Sequence, residues 1–124
     1  MTKPLVSIII NCFNGEHFLR EAIDSIYQQD YSNWEIIFWD NASTDGSSEI
    51  ARFYDHQLKY YLAPINTPLG EARNLALEMT KGKYIAFLDC DDRYLPGKIS
   101  KQVASMESSG AALCYGSAVV ISEK

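Results

Sequence analysis

Three carboxylates fall within four residues at Asp89-Cys90-Asp91-Asp92, directly after the apolar run Tyr84 to Leu88. Packed that closely, they repel one another unless a cation holds them or water screens them. Mg²⁺ and Mn²⁺ take oxygen ligands, and Mg²⁺ commonly uses one or two carboxylates together with substrate phosphates. The chemistry that fits is the binding of linked phosphates, whose departure as an anion a divalent cation assists. Asp also favours turns and helix starts, so the run alone equally describes a solvated acidic turn that caps the next helix.

Two further polar clusters stand beside it. Asn11-Cys12-Phe13-Asn14-Gly15 follows the apolar run Val6 to Ile10, and Asp40-Asn41-Ala42-Ser43-Thr44-Asp45-Gly46 follows Trp34 to Trp39. Asp40 is expected to accept hydrogen bonds from a base edge or a ribose, as acidic residues do at comparable strand ends of dinucleotide folds. Ser43 and Asp45 read instead as Asx-turn and helix-capping residues. Phe13 is either a stacking face for a flat base or a core aromatic that pins the loop. Arg73 either reaches a phosphate or pairs with Glu71 or an Asp. His17 and His56 read as surface residues.

These clusters need elements to position them. Val6 to Ile10, Trp34 to Trp39, Leu58 to Leu62 and Tyr84 to Leu88 are short apolar runs typical of strands buried on both faces. Between them Phe18, Ala22 and Ile26 recur at i+4 within Glu16 to Gln29, one face of a helix. A short helix runs to about Tyr54. Thr67-Pro68 supplies an N-cap and first-turn proline for a helix carrying Leu69, Ala72, Leu75, Ala76 and Met79, with Gly82 as its stop. Pro96 opens another helix, which Gly110 ends, and a fifth strand begins within Ala111 to Ile121. Alternating strands and helices predict an α/β domain with a mostly parallel sheet flanked by helices on both faces. Ligands in such sheets bind beyond the carboxyl ends of the strands, where the strand order reverses. All three clusters sit at such ends.

The 124 residues make one domain over 1–124, and 47% apolar with 22% charged residues is ordinary globular composition. A net charge of −5 argues against nucleic acid as a partner, since phosphate backbones are bound chiefly by Lys and Arg. Cys12, Cys90 and Cys114 form neither a disulfide framework nor a zinc pattern, which suggests a reducing, cytoplasmic setting. No apolar run approaches the length of a membrane span.

With these residues in view, the chain resembles the nucleotide-diphospho-sugar glycosyltransferases of family 2, with their GT-A fold. The likeness runs through Val6-Ser7-Ile8-Ile9-Ile10 with Phe13-Asn14, and through Asp40 to Gly46. It continues through Gly70-Glu71-Ala72-Arg73-Asn74 and Gly82 to Asp92, covering nearly the whole chain. The resemblance implies a Rossmann-like nucleotide-binding half of a GT-A domain. Asn11 and Phe13 would line the nucleotide pocket, with Asn14 and Arg73 counted beside them. Asp40 would bind the base, usually uracil, and Asp89 would face the ribose. Asp91, joined by Asp89, would ligate Mn²⁺ or Mg²⁺ bridging the diphosphate. The implied reaction transfers a sugar from a UDP-sugar to an acceptor hydroxyl with inversion, the acceptor being a saccharide or a lipid-linked molecule. Envelope polysaccharide synthesis, at the inner face of a membrane, is the family's habit.

The sequence departs from the family at Asn11, commonly Pro, and at Phe13, often Tyr. The family's catalytic base lies beyond the metal motif, so it is expected past residue 124, and no catalytic residue is assigned within the chain. Asp92, beside the metal, is badly placed to take a proton from an acceptor. The bare edge of the last strand points the same way, to a truncated chain that binds donor without efficient turnover. Other classes fit less well. A phosphorylatable receiver domain needs paired acids where Asn11-Cys12 stand, and a sugar-nucleotide pyrophosphorylase needs a Gly-rich basic loop where Gly15-Glu16 stand. A non-catalytic nucleotide-sugar binding module remains the alternative to an enzyme.

Overall fold

The computed structural model describes residues 3–109, 113–115 and 120–123. In chain order the elements are β1 (Val6–Cys12), α1 (Glu16–Tyr27), β2 (Trp34–Asp40), α2 (Ser47–Arg52) and β3 (Leu58–Leu62). They continue with α3 (Leu69–Glu78), β4 (Tyr84–Phe87), α4 (Lys98–Ser109), β5 (Leu113–Tyr115) and β6 (Val120–Glu123). The strands form a single sheet in the order β3-β2-β1-β4-β6-β5. β1 to β4 are mutually parallel, while β6 is antiparallel to both β4 and β5.

Alternation along each strand divides the apolar residues between two cores. Val6, Ile8, Ile10 and Cys12 of β1 pack with Leu19, Ile23 and Ile26 of α1 and with Ile99, Val103 and Met106 of α4. On the other face Ile9, Ile37, Trp39 and Ile85 meet Ala72 and Ala76 of α3. Both faces are covered, which is why β1 and β2 read as nearly unbroken apolar runs. Strand order reverses at β1: the chain steps outward to β2 and β3, then returns to lay β4 on the other side. The switch point between β1 and β4 is the expected ligand crevice.

At the opposite end of the strands a buried carboxylate ties four segments together. Glu35, 3% exposed, accepts from Ser7 Oγ at 2.6 Å, Lys81 N at 2.8 Å and Lys59 Nζ at 2.6 Å. Gly82 N donates to Ser7 Oγ at 2.8 Å. Burial pushes the Glu35 carboxyl up, but the Lys59, Ser7 and Lys81 donors prevail and hold it below its ordinary value.

Four boundaries differ from the sequence reading. The single fifth strand expected over 111–121 is replaced by β5 and β6, and the intervening residues 116–119 lie outside the described residues. β6 is not a bare edge, because it lies between β4 and β5. Pro68, not Thr67, is the N-cap of α3, and Thr67 bonds Asn41 instead. Gly82 does not stop α3, whose C-cap is Met79. It is glycine because a Cβ there would lie 2.7 Å from Leu5 O and from Ser7 N.

Candidate functional site

The loops leaving β1 and β2 are laced together by their own polar residues. Asn14, in the left-handed region at φ 53°, accepts through Oδ1 from Thr44 N at 2.7 Å and from Asp45 N at 3.3 Å. Its own amide donates to Ser43 Oγ at 3.0 Å. Gly15 N donates to Ser47 Oγ, Glu16 N to Asp45 Oδ2, and Gly46 N to Glu16 Oε2. Asp45 also accepts from Ser47 N at 2.9 Å; slight burial pushes its carboxyl up, yet the Ser47 and Glu16 donors hold it below its ordinary value. Ser43 and Asp45 are thus structural, as their residue types suggest. Ala42 carries the turn at φ 64°, a conformation rare for a residue with a Cβ.

The acidic turn after β4 is anchored from behind. Tyr94, 4% exposed, donates its hydroxyl to Phe87 O at 2.8 Å and its amide to Ser25 Oγ at 3.0 Å. Asp92 N closes the turn onto Asp89 O at 3.0 Å. Gln29, buried just after the end of α1, accepts from Ile99 N and donates to Leu95 O, which fixes the start of α4. Asp89, Asp91 and Asp92 therefore project into solvent from a braced turn.

Between these loops, at the switch point, lies a cleft of about 450 Å³. Asn11, Phe13, Asn14, Asp89 and Asp91 line it, so five of the expected site residues converge. Phe13 is half exposed beside Phe18 and Leu69, and presents its ring to the cleft rather than to the core. Asn11 Oδ1 is buried there with no hydrogen-bond partner among the described residues, an acceptor that a bound ligand or water would satisfy. His17, Phe18, Leu69 and Cys90 also line the cleft. They escaped the sequence reading because each belongs to a helix face or lies between stronger signals.

Asp40 and Arg73 stand apart from this group. Asp40 is fully buried on the α1 face, where Oδ1 accepts from Ser43 N at 2.8 Å and Oδ2 from the Tyr60 hydroxyl at 2.6 Å. Both oxygens are occupied, and no edge is left for a base. Its neighbour Asn41 points the other way and shares a smaller adjoining hollow with Asn11 and Phe13. There Asn41 Nδ2 donates to Thr67 O at 2.7 Å, and Oδ1 accepts from Thr67 N at 3.1 Å. Arg73 is exposed on α3 with its guanidinium 5.4 Å from the centre of the Phe87 ring.

Cys90 lines the cleft, and Cys12 lies buried beside it, against the smaller adjoining hollow. Cys12 and Cys90 share a hydrogen bond that brings the Cys12 thiol down to about 7, while the same contact and burial push Cys90 up. Neither is in a disulfide. Among the described residues no group of three His, Cys, Asp or Glu is assembled as a metal cage. Asp89 and Asp91 nonetheless fit a hard divalent cation that takes one or two carboxylates and completes its shell with phosphate and water.

Comparison with known proteins agrees with this geometry. The family model of Glycosyl transferase family 2 matches residues 7–124. A relative from Escherichia coli, the UDP-Glc:alpha-D-GlcNAc-diphosphoundecaprenol beta-1,3-glucosyltransferase WfgD, is 34% identical over 98% of this chain and 48% of its own length. An uncharacterized glycosyltransferase of Haemophilus influenzae is 38% identical over 94% of this chain and 48% of its own. The chain spans about half the length of the curated relatives it matches. Among solved structures, S. aureus TarS 1-349 in complex with UDP-GlcNAc superposes with a TM-score of 0.79 at 27% identity, covering 87% of this chain and 32% of that one. The mannosyltransferase PcManGT from Pyrobaculum calidifontis, solved with GDP-Man and Mn²⁺, reaches a TM-score of 0.88 at 18% identity, over 99% and 45% of the two chains. Among the described residues no helix is long and apolar enough to cross a membrane. The chain belongs to glycosyl transferase family 2.

Proposed function

We propose that the cleft binds a nucleotide-diphospho-sugar, with UDP as the nucleotide, for transfer of the sugar to an acceptor hydroxyl. The observation that carries this reading is the meeting of Asn11, Phe13, Asp89 and Asp91 around one opening at the β1/β4 switch point. Phe13 stacks on the base, and Asn11 lines the opening beside it. Asn41 rather than Asp40 contributes the remaining polar contact to the base, because it shares the hollow with Asn11 and its Nδ2 keeps a second hydrogen beyond the bond to Thr67 O. Asn14 holds the two loops together. UDP is favoured because TarS is solved with UDP-GlcNAc at 27% identity and WfgD is named for UDP-Glc.

Asp91, with Asp89, would hold Mn²⁺ or Mg²⁺ against the diphosphate. A cation bound there neutralises the charge of the departing nucleoside diphosphate, which matters for a chain of net charge −5. The acceptor hydroxyl displaces that group at the anomeric carbon in one step, with inversion. The base that activates the hydroxyl is not among the residues lining the cleft: the acids there face the phosphates, where like charge disfavours an approaching oxyanion. The acceptor is a saccharide or a lipid-linked saccharide, WfgD being named for a GlcNAc-diphosphoundecaprenol.

Calorimetric titration with UDP tests the reading, with and without Mn²⁺ and again with Asp91→Ala. Binding is expected to need the cation and to be lost in the variant. Equal affinity in all three titrations would remove the metal from the proposal.

A further inference from the structure

β1 and β4 run side by side, with Ile9 paired to Phe87. Cys12 and Cys90 each lie three residues beyond that pair, Cys12 at the end of β1 and Cys90 in the turn that follows β4. Leu88 N still donates to Ile9 O at 3.0 Å, which carries the alignment past the end of β4. The side chains converge as well. A Cβ on Gly15 would sit 2.6 Å from Cys90 Sγ and 3.1 Å from Cys12 Sγ, so both sulfurs crowd one point and an added methyl there would displace them. Cys12 is closed off at 1% exposure, whereas Cys90 lines the cleft. One sulfur meets solvent and its partner lies directly behind.

We propose that Cys12 and Cys90 form a modification site, which a low-molecular-weight disulfide entering the cleft converts into an intramolecular disulfide. Burial and the Cys12 contact oppose ionisation of Cys90, so its proton passes to the Cys12 sulfur as Cys90, the member of the pair that lines the cleft, attacks one sulfur of the reagent. A mixed disulfide forms and the first reagent thiolate leaves, taking a proton from solvent. Cys12 then gives up its proton and attacks the Cys90 sulfur, and the second reagent thiol leaves. Two protein thiols are oxidised and one reagent disulfide is reduced to two thiols. Because Cys90 stands between Asp89 and Asp91, the new bond tethers the acidic turn to the end of β1. Bond formation is independent of the proposed donor, while its effect on UDP binding rests on that reading.

The test uses the full chain with Cys114→Ser, so that only this pair of thiols remains, treated with oxidised glutathione and followed by intact mass and peptide mapping. The expected product has lost two hydrogens, retains no glutathione, links the peptides bearing Cys12 and Cys90, and reverts with dithiothreitol. Adding Cys12→Ser is expected to stall the reaction with one glutathione on Cys90, and Cys12→Ala repeats this should the serine disturb the fold. Glutathione retained on the intact pair, an unchanged mass, or glutathione found on Cys12 would overturn the proposal. UDP affinity is expected to differ at least tenfold between oxidised and reduced chains. Equal affinities overturn the coupling to the cleft. Failure of the reduced chain to bind UDP counts against the donor reading alone, since the mass readout involves no nucleotide.

Discussion

Asp40 and Asn41 are adjacent, yet the pleat sends them to opposite faces of the sheet. At the level of single residues this decides which of the two meets a ligand. Asn41→Ala is expected to weaken UDP binding measured by calorimetry. Asp40→Ala is expected instead to lower stability by about 1–3 kcal/mol, seen in denaturant midpoints, because it leaves Ser43 N and the Tyr60 hydroxyl without their acceptor. The reverse pattern would return the base contact to Asp40. Phe13→Ala is expected to cost about 1–3 kcal/mol of UDP affinity, the range for base–aromatic stacking, while Phe13→Tyr keeps it. The three clusters were legible in the sequence because carboxylates, amides and an exposed ring after apolar runs are chemically conspicuous. Which face each took was not, since a shift of one residue at a strand end exchanges core for cleft.

At the level of elements, the lower ends of β1, β2 and β3 and the approach to β4 depend on Glu35 and Gly82. The Glu35 carboxyl is held below its ordinary value of 4.5, so its contribution to stability is fully present above that pH. It is lost as pH falls through the lower, folded value. Urea midpoints measured from neutral to acid pH are expected to fall less steeply in Glu35→Gln than in the parent, from a lower neutral starting point. Gly82→Ala is expected to destabilise by about 1–3 kcal/mol, because the added methyl meets the backbone of Leu5 and Ser7 as well as the Ser7 hydroxyl. A melting temperature unchanged by this substitution would show that the backbone yields freely there. Neither role was visible in sequence. Glu35 sits in an apolar run, and Gly82 imitates a helix stop.

At the level of the whole molecule, the parallel strands β1 and β4 of one sheet bring loops about eighty residues apart in sequence to a single rim. Ligand bound at that rim stabilises the entire fold. At about 100 times its Kd, UDP with Mn²⁺ is expected to add about 2.7 kcal/mol and to raise the melting temperature by several degrees. Chelation of the cation should remove that shift. A shift that survives chelation would mean that the acidic turn is not where the phosphates lie.

The sequence by itself determined the alternation of strands and helices, the buried character of β1 and β2, and the family. These follow from local periodicity and composition, which survive without knowledge of contacts. Only the tertiary structure decided that Asp40 is internal and Asn41 is not, that Asn14 braces loops, and that Cys12 faces Cys90. Those outcomes depend on register and on which face each helix covers, and both are set by contacts between residues far apart in the chain.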